Sequence, residues 1–90
     1  MNLINLKNKK VFITGGTAGI GLSILESFYK LEADIFTIGT NVENLKTIQS
    51  NFPKIKTSNF NLENHQKIEE LVKEAKEKLG GLDIVINNAG

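Results

Sequence analysis

The chain is 90 residues long, which is enough for one small domain and too short for two. Its net charge of +1 gives no indication of binding to nucleic acid or to an anionic membrane surface. It contains no cysteine, which excludes disulfides, thiol catalysis and cysteine-based zinc sites. No apolar run approaches the roughly 20 residues of a membrane span, and the start of the chain lacks the apolar core of a secretory signal, so we expect a cytoplasmic protein.

Hydrophobic periodicity predicts four strands that alternate with three helices. The strands are short apolar runs, and each helix carries an apolar stripe at three- and four-residue spacing. The predicted strands are 10–14, 35–39, 54–60 and 82–87. The first predicted helix is 19–31. Asn41 caps the second, which ends at residues 51–53, and Asn64 caps the third, which ends at Leu79.

This order of elements predicts a Rossmann-type α/β fold with a parallel sheet across residues 1–90. Right-handed crossovers give the strand order 3-2-1-4, with helices one and two on one face and helix three on the other. Ligands of such sheets bind at the carboxyl ends of the strands where the order reverses, between strands one and four. Residues 15–21 and 87–90 lie there. Strand four also forms an exposed apolar edge, so we expect a partial domain.

A glycine-rich turn, Thr14-Gly15-Gly16-Thr17-Ala18-Gly19-Ile20-Gly21, joins the first strand to the first helix. Such a turn directs backbone N–H groups and the positive end of the helix dipole at one point, which suits a phosphate. A Walker-type loop is excluded because Leu22 stands where lysine is required, and the G-x-G-x-x-G fingerprint is excluded by Ile24. The remaining spacing is consistent with phosphate binding or with close strand-to-helix packing alone.

A second motif, Asn87-Asn88-Ala89-Gly90, follows the fourth strand directly. With the turn it makes the chain resemble the short-chain dehydrogenase/reductase family over residues 8–90. The family's cofactor loop T-G-x-x-x-G-[I/L]-G and its N-N-A-G segment are both present, and Ala18 favours the main over the extended type. Within the family, the sequence of these motifs is most similar to 3-oxoacyl-acyl-carrier-protein reductases and to related sugar or alcohol dehydrogenases.

The resemblance implies a nicotinamide dinucleotide cofactor, NAD(P). The glycines would let its pyrophosphate approach the helix, Thr14 would tie the loop to the sheet, and Ile20 would lie beside the nicotinamide. Asn87 and Asn88 have an alternative role, since either side chain can instead bond to neighbouring protein groups. The positions expected to contact the cofactor are Thr14, Gly15, Thr17, Ala18, Gly19, Ile20, Gly21, Thr40, Asn61, Asn88, Ala89 and Gly90.

The sequence departs from the family at several positions. Asn61 stands where an adenine-binding aspartate is usual, and the second strand ends without the acid that NAD-preferring members use. Ala18 and Thr40 stand where NADP-preferring members have basic residues. The lack of an acid that would repel the 2′-phosphate slightly favours NADP, with Thr40 and Asn41 as candidate donors to that phosphate. Glu32 occupies the position of a helix-ending glycine, at a cost of about 1 kcal/mol if its φ is positive.

The family's catalytic serine and its Tyr-x-x-x-Lys motif are missing from the 90 residues. Tyr29 is the single tyrosine, with Ala33 where the lysine belongs, and the lone His65 is expected to be solvated or to cap a helix. We therefore predict no catalytic residue and no metal site. The expected function is the N-terminal, cofactor-binding part of an NAD(P)-dependent oxidoreductase, as a truncated or fragment chain. The alternative is a non-catalytic dinucleotide-binding or interaction module. The family is usually homo-oligomeric, through helices beyond this region.

Overall fold

The computed structural model of the chain describes residues 5–60 and 68–88, with the backbone only for residue 68. Within these residues it contains a parallel sheet in the order β3-β2-β1-β4, which confirms the predicted Rossmann-type fold. The strands are β1 Lys10–Thr14, β2 Asp34–Gly39, β3 Lys56–Asn59 and β4 Ile84–Asn87. The helices are α1 Gly19–Lys30, α2 Val42–Asn51 and α3 Ile68–Leu79.

Strand β1 forms the centre of the molecule because both of its faces are covered. Val11 and Ile13 are buried on the side where Leu25 of α1 and Ile48 of α2 pack. A continuous apolar run is typical of a parallel strand that lies between two layers of helices. The predicted position of the first two helices, on one face of the sheet, is therefore confirmed.

Helix α3 covers the opposite face of the sheet. Leu71 and Ala75 are buried against Phe12 of β1 and Phe36 of β2, whose rings lie 5.2 Å apart between centroids. This second cluster completes the two-layered covering of β1 and β2. Among the helices of the described residues, none combines the length and the apolar character that are needed to cross a membrane.

Local side chains explain where several elements begin and end. The Asn41 side chain accepts the backbone N–H of Asn44 at 3.1 Å, so the predicted cap of α2 is confirmed. Helix α3 ends at Leu79, and the next residue, Gly80, has a φ of +77° and donates its N–H to the carbonyl of Lys76 at 2.9 Å. The predicted cap of α3, Asn64, lies outside the described residues, as does His65.

Strand β3 is shorter than the prediction of 54–60. The side chain of Gln49 donates to the carbonyls of Pro53 at 3.2 Å and Ile55 at 2.7 Å, so these groups face helix α2. The ladder with β2 therefore begins only at Lys56. Strand β4 is also shorter than expected. Before its first residue, Asp83 accepts the backbone N–H of Lys10 through its carboxylate at 2.8 Å and donates its own N–H to the Lys10 carbonyl at 2.8 Å.

The turn after α1 holds Glu32 in the left-handed region, with φ of +66°. The backbone makes hydrogen bonds there, since the N–H of Glu32 donates to Tyr29 and its carbonyl accepts from Asn8. The positive φ that its position after the helix suggested is therefore observed. A residue with a Cβ adopts this conformation at a cost that glycine avoids.

We expect Glu32→Gly to raise the free energy of unfolding by about 0.5–1 kcal/mol, because glycine removes the strain of a positive φ. Urea unfolding followed by circular dichroism measures this change. The control is Lys30→Gly, which places glycine in the last turn of α1 and should lower the stability by up to about 1 kcal/mol. Equal losses in the two variants would contradict the assignment of strain to Glu32.

Candidate functional site

The carboxyl ends of three neighbouring strands form a crevice at one end of the sheet. Thr14 at the end of β1 is the register partner of Ile38 in β2 and of Asn87 in β4. The loop of residues 15–18 leaves β1 at this point and enters α1. In an open parallel sheet this is where ligands bind, because the connections of strands on the two sides diverge here.

Thr14 ties the end of β1 to the end of β4. Its hydroxyl accepts the backbone N–H of Asn88 at 3.0 Å. The same hydroxyl lies 3.0 Å from the Asn87 side-chain oxygen, to which it donates, and 3.4 Å from the Ile86 carbonyl. The predicted anchoring role of Thr14 thus has a geometric basis, and Asn87 takes the alternative role of bonding to a protein group.

The loop also packs tightly on β2, through a contact that the sequence did not indicate. A Cβ added at Gly16 would lie 2.6 Å from the Thr37 hydroxyl and 3.1 Å from a methyl group of Leu25. Thr37 is fully buried and donates its hydroxyl hydrogen to the Ile13 carbonyl at 2.7 Å. In the sequence, the one sign of this contact was Thr37 itself, a polar residue within the apolar run of β2. Gly16 and Thr37 therefore position the loop although neither matches a cofactor motif.

The first turn of α1 lies against the loop that precedes it, and Gly21 makes this possible. A Cβ at Gly21 would lie 1.9 Å from the carbonyl oxygen of Gly15 and 2.6 Å from the side-chain nitrogen of Asn88. No side chain fits at that distance from a backbone atom. The motif glycine at 21 is thus required for packing, and it brings the Asn88 amide to the start of α1.

Gly15 and Gly19 give the loop its shape, with φ values of +68° and +58°. Unlike Gly21, Gly19 has no atom of the described residues within 4 Å of an added Cβ, so it borders open space. Within the described part of the chain, the N-cap residue Ala18 makes no side-chain cap hydrogen bond, and the first turn of α1 has no acidic residue. The positive end of the α1 dipole therefore faces an accessible space suited to an anion.

The other predicted contact residues surround this space or lie outside the described chain. Ile20 is 74% exposed beside the loop. The end of β2 approaches Thr17, since a Cβ at Gly39 would lie 3.0 Å from its methyl carbon, and Thr40 follows as an exposed residue. Asn61, Ala89 and Gly90 are outside the described residues, so their contacts remain predictions. The structure brings together Thr14, Gly15, Thr17, Ala18, Gly19, Ile20, Gly21 and Asn88.

The described side chains of this crevice are hydroxyl, amide and aliphatic groups. They can bond to and enclose a ligand, and the backbone N–H groups can hold an anionic part of it. Among residues 5–60 and 68–88, no three His, Asp or Glu side chains are grouped so that they could hold a metal ion. The chemistry that the described crevice offers is therefore binding and orientation.

A family model and several known proteins that are similar to this chain all indicate the same family. The family model of the short chain dehydrogenases matches residues 9–90. An uncharacterized oxidoreductase of Staphylococcus aureus (strain USA300) is 33% identical over 87 residues, which are 94% of this chain and 38% of the relative. A 3alpha-hydroxysteroid dehydrogenase of Mediterraneibacter gnavus is 32% identical, over 94% of this chain and 36% of the relative. A gluconate 5-dehydrogenase of Gluconobacter oxydans is 30% identical, over 99% and 36%.

A solved structure has the same fold. The crystal structure of a short chain dehydrogenase from Bacillus anthracis superposes with a TM-score of 0.85 and 31% sequence identity. The match covers 97% of this chain and 37% of that one. The chain thus spans less than two-fifths of the length of these known proteins.

We expect Gly21→Ala to lower the free energy of unfolding by about 3 kcal/mol, because its methyl group would meet the Gly15 backbone. The matched control is Gly39→Ala, which adds a methyl group at the same crevice but meets only side-chain atoms, at 3.0 Å or more. We expect this control to cost less than about 1 kcal/mol. Urea unfolding of both variants measures the difference, and equal losses would show that Gly21 does not control the approach of α1.

Proposed function

Because this chain belongs to the short-chain dehydrogenase family, we propose that its crevice binds the pyrophosphate of NAD(P), and that the chain is the cofactor-binding part of an NAD(P)-dependent oxidoreductase. The observation that carries this proposal is the open space at Gly19, in front of the α1 N-terminus, where the described residues provide no side-chain cap. When bound, the nicotinamide would supply hydride transfer between an alcohol and a carbonyl group.

The residues of this chain would bind and orient that cofactor. The backbone around Gly15 and Gly19 would hold the pyrophosphate, and Thr14 would keep the ends of β1 and β4 together behind it. The exposed Ile20 would offer an apolar contact to the nicotinamide ring. Asn88, against Gly21, would line the opposite wall of the crevice. Asn61, Ala89 and Gly90 extend the proposed site as predictions from the sequence.

Tyr29 supports the proposal that this chain binds cofactor without performing the reaction. It is the single tyrosine of the 90 residues, and its ring lies 5.0 Å from that of Phe52 between centroids. It packs on the core cluster beneath α1 and α2, which does not suit a proton donor at the crevice. The Tyr-x-x-x-Lys pair of the family is missing from the sequence. A non-catalytic dinucleotide-binding module is the second candidate that this observation favours.

The reaction class is supported by the names of the relatives. A hydroxysteroid dehydrogenase and a gluconate 5-dehydrogenase both carry names that refer to hydroxyl-bearing compounds. We therefore propose alcohol–carbonyl interconversion as the reaction of the oxidoreductase to which this cofactor site belongs. The cytoplasmic location remains a prediction from the sequence.

The end of β2 supports a modest preference for NADP. No carboxylate directly follows Gly39, since the next two residues are Thr40, which is exposed, and Asn41. The side-chain oxygen of Asn41 accepts a hydrogen bond from α2, which leaves the N–H groups of its amide as donors. The Thr40 hydroxyl and the Asn41 amide would be the donors for a 2′-phosphate, and no acid stands at the position that binds the ribose hydroxyls in NAD-preferring proteins.

We expect the chain to bind NADPH and Gly19→Ala to weaken that binding at least about tenfold, because the methyl group would enter the proposed pyrophosphate space. Fluorescence titration of the 90-residue chain measures the dissociation constants. The matched control is Gly80→Ala, at a glycine with φ of +77° and a similarly open Cβ position near the amino end of the sheet. Both variants carry a similar backbone cost of about 1–2 kcal/mol, which urea unfolding verifies.

The control should bind NADPH as the unmodified chain does. Equal weakening in both variants, or no saturable binding by the unmodified chain, would contradict the proposed site. The same titration with NADH tests the cofactor preference, and NADH binding as tight as that of NADPH would contradict the choice of NADP alone. Turnover of a carbonyl substrate by the chain would contradict the proposed lack of catalysis.

A further inference from the structure

A groove lies where α2, the start of β3 and the last turn of α3 meet. Its volume of about 480 Å³ is in the range of small-molecule sites. The groove is formed by residues that are distant from the dinucleotide crevice in the sequence. Among the residues that line it are Gln49, Ile55, Thr57 and three lysines, Lys54, Lys56 and Lys78.

The groove is positively charged. None of its described lining residues is an Asp or a Glu, although the whole chain has ten acidic residues for eleven lysines. The three lysines are exposed, and none of them forms an ion pair with another of the described residues. Their positive charges are therefore available to a ligand.

Contacts with the sheet hold Lys78 on the side to which Lys56 points. The Lys78 ammonium group donates to the Thr57 carbonyl at 3.4 Å and lies 5.4 Å from the centroid of the Phe36 ring. The Thr57 hydroxyl donates to the Gln49 side chain of α2 at 3.3 Å, so the Thr57 side chain points to the α2 side of the sheet. Successive residues of a strand point to opposite faces, so Lys56 points to the α3 side, where Lys78 lies. Two ammonium groups therefore share one side of the groove.

The hydrogen bonds of the groove leave donors free and occupy acceptors. The carbonyl of Ile55 accepts from the Gln49 amide at 2.7 Å, and that of Thr57 accepts from Lys78. These two carbonyls would otherwise present negative partial charge to a ligand. Lys54 and Lys56 make no side-chain hydrogen bond within the described part of the chain, so both ammonium groups can donate to a ligand. The polar groups of the groove are thus arranged for an anion.

We propose that this groove binds a small molecule that carries two or more phosphate groups. Lysine binds phosphate as a compact charge with three donors, and a bound anion would offset the repulsion between the three ammonium groups. The groove lies at the start of β3, whereas the dinucleotide crevice lies at the carboxyl ends of the strands. None of the lining residues named above belongs to that crevice, so the groove does not depend on the proposed cofactor site.

The test follows the backbone amide signals of the ¹⁵N-labelled 90-residue chain while inorganic pyrophosphate is added. Salt at about 0.1 M screens the attraction that distant charges exert on the probe. We expect saturable shifts at residues 54–57 and at Lys78. Pyrophosphate that binds at the dinucleotide loop shifts residues 15–21 instead. Because each site has its own signals, failure of the groove and failure of the cofactor site are distinguishable.

Lys54→Gln combined with Lys56→Gln should weaken binding at the groove at least about tenfold, because it removes two of the three ammonium groups. The matched control combines Lys30→Gln with Lys73→Gln. It changes the net charge by the same amount, at exposed residues of α1 and α3 that do not line the groove. We expect the control to change the affinity less than about twofold, because salt screens distant charges. Unchanged amide signals away from the substituted positions verify that both variants fold.

A short peptide of glutamates is the second probe. It should bind at residues 54–57 more weakly than pyrophosphate does, because a carboxylate carries less charge than a phosphate group. Binding of the peptide as tight as that of pyrophosphate would overturn the choice of phosphate and would indicate an acidic protein segment as the partner. The absence of a saturable shift at residues 54–57 with pyrophosphate, or equal weakening by the two double variants, would overturn the proposed site itself.

Discussion

The contact between the backbone of Gly15 and the first turn of α1 is the constraint on which the crevice depends. A Cβ at Gly21 would lie 1.9 Å from the Gly15 oxygen, so helix and loop meet backbone to backbone. This contact sets the direction in which α1 leaves the sheet. It also brings Asn88 to the start of α1, which places the second sequence motif, at the end of β4, beside the loop. The open space at Gly19 is a consequence of this arrangement.

The sheet supports that contact from behind. Thr14 bonds to the end of β4, and Thr37 bonds to the Ile13 carbonyl and contacts Gly16 from β2. Three strands therefore hold the loop at one point, and two buried apolar clusters hold the strands. Contacts that hold a loop in its binding shape before a ligand arrives reduce the ordering cost of binding. This is the physical basis for assigning a binding and orienting role to the chain.

Much of the architecture was predictable because its signals are local. Asn41 at a helix start, Gly80 at a helix end and a continuous apolar run at Val11 each act through neighbouring residues. The strand order followed from the alternation of elements. The contacts that position the loop were less accessible, since Gly16 meets Thr37 across 21 residues of sequence and Gln49 shortens β3 by binding carbonyls that the alternating pattern assigned to a strand. The pairs Thr14–Asn88 and Gly21–Asn88 join the two sequence motifs, which shows why both are needed to define one site.

The central claim, that the loop at the N-terminus of α1 is a pyrophosphate site, is tested most directly by nuclear magnetic resonance. A ¹⁵N-labelled sample of the chain is titrated with NADPH while the backbone amide signals are followed. The account predicts saturable shifts that are largest for residues 15–21 and for Asn88, with little change at Gly80 and Gly81 near the amino end of the sheet. Saturable shifts centred on Gly80 and Gly81, or no saturable shift in residues 15–21, would contradict it.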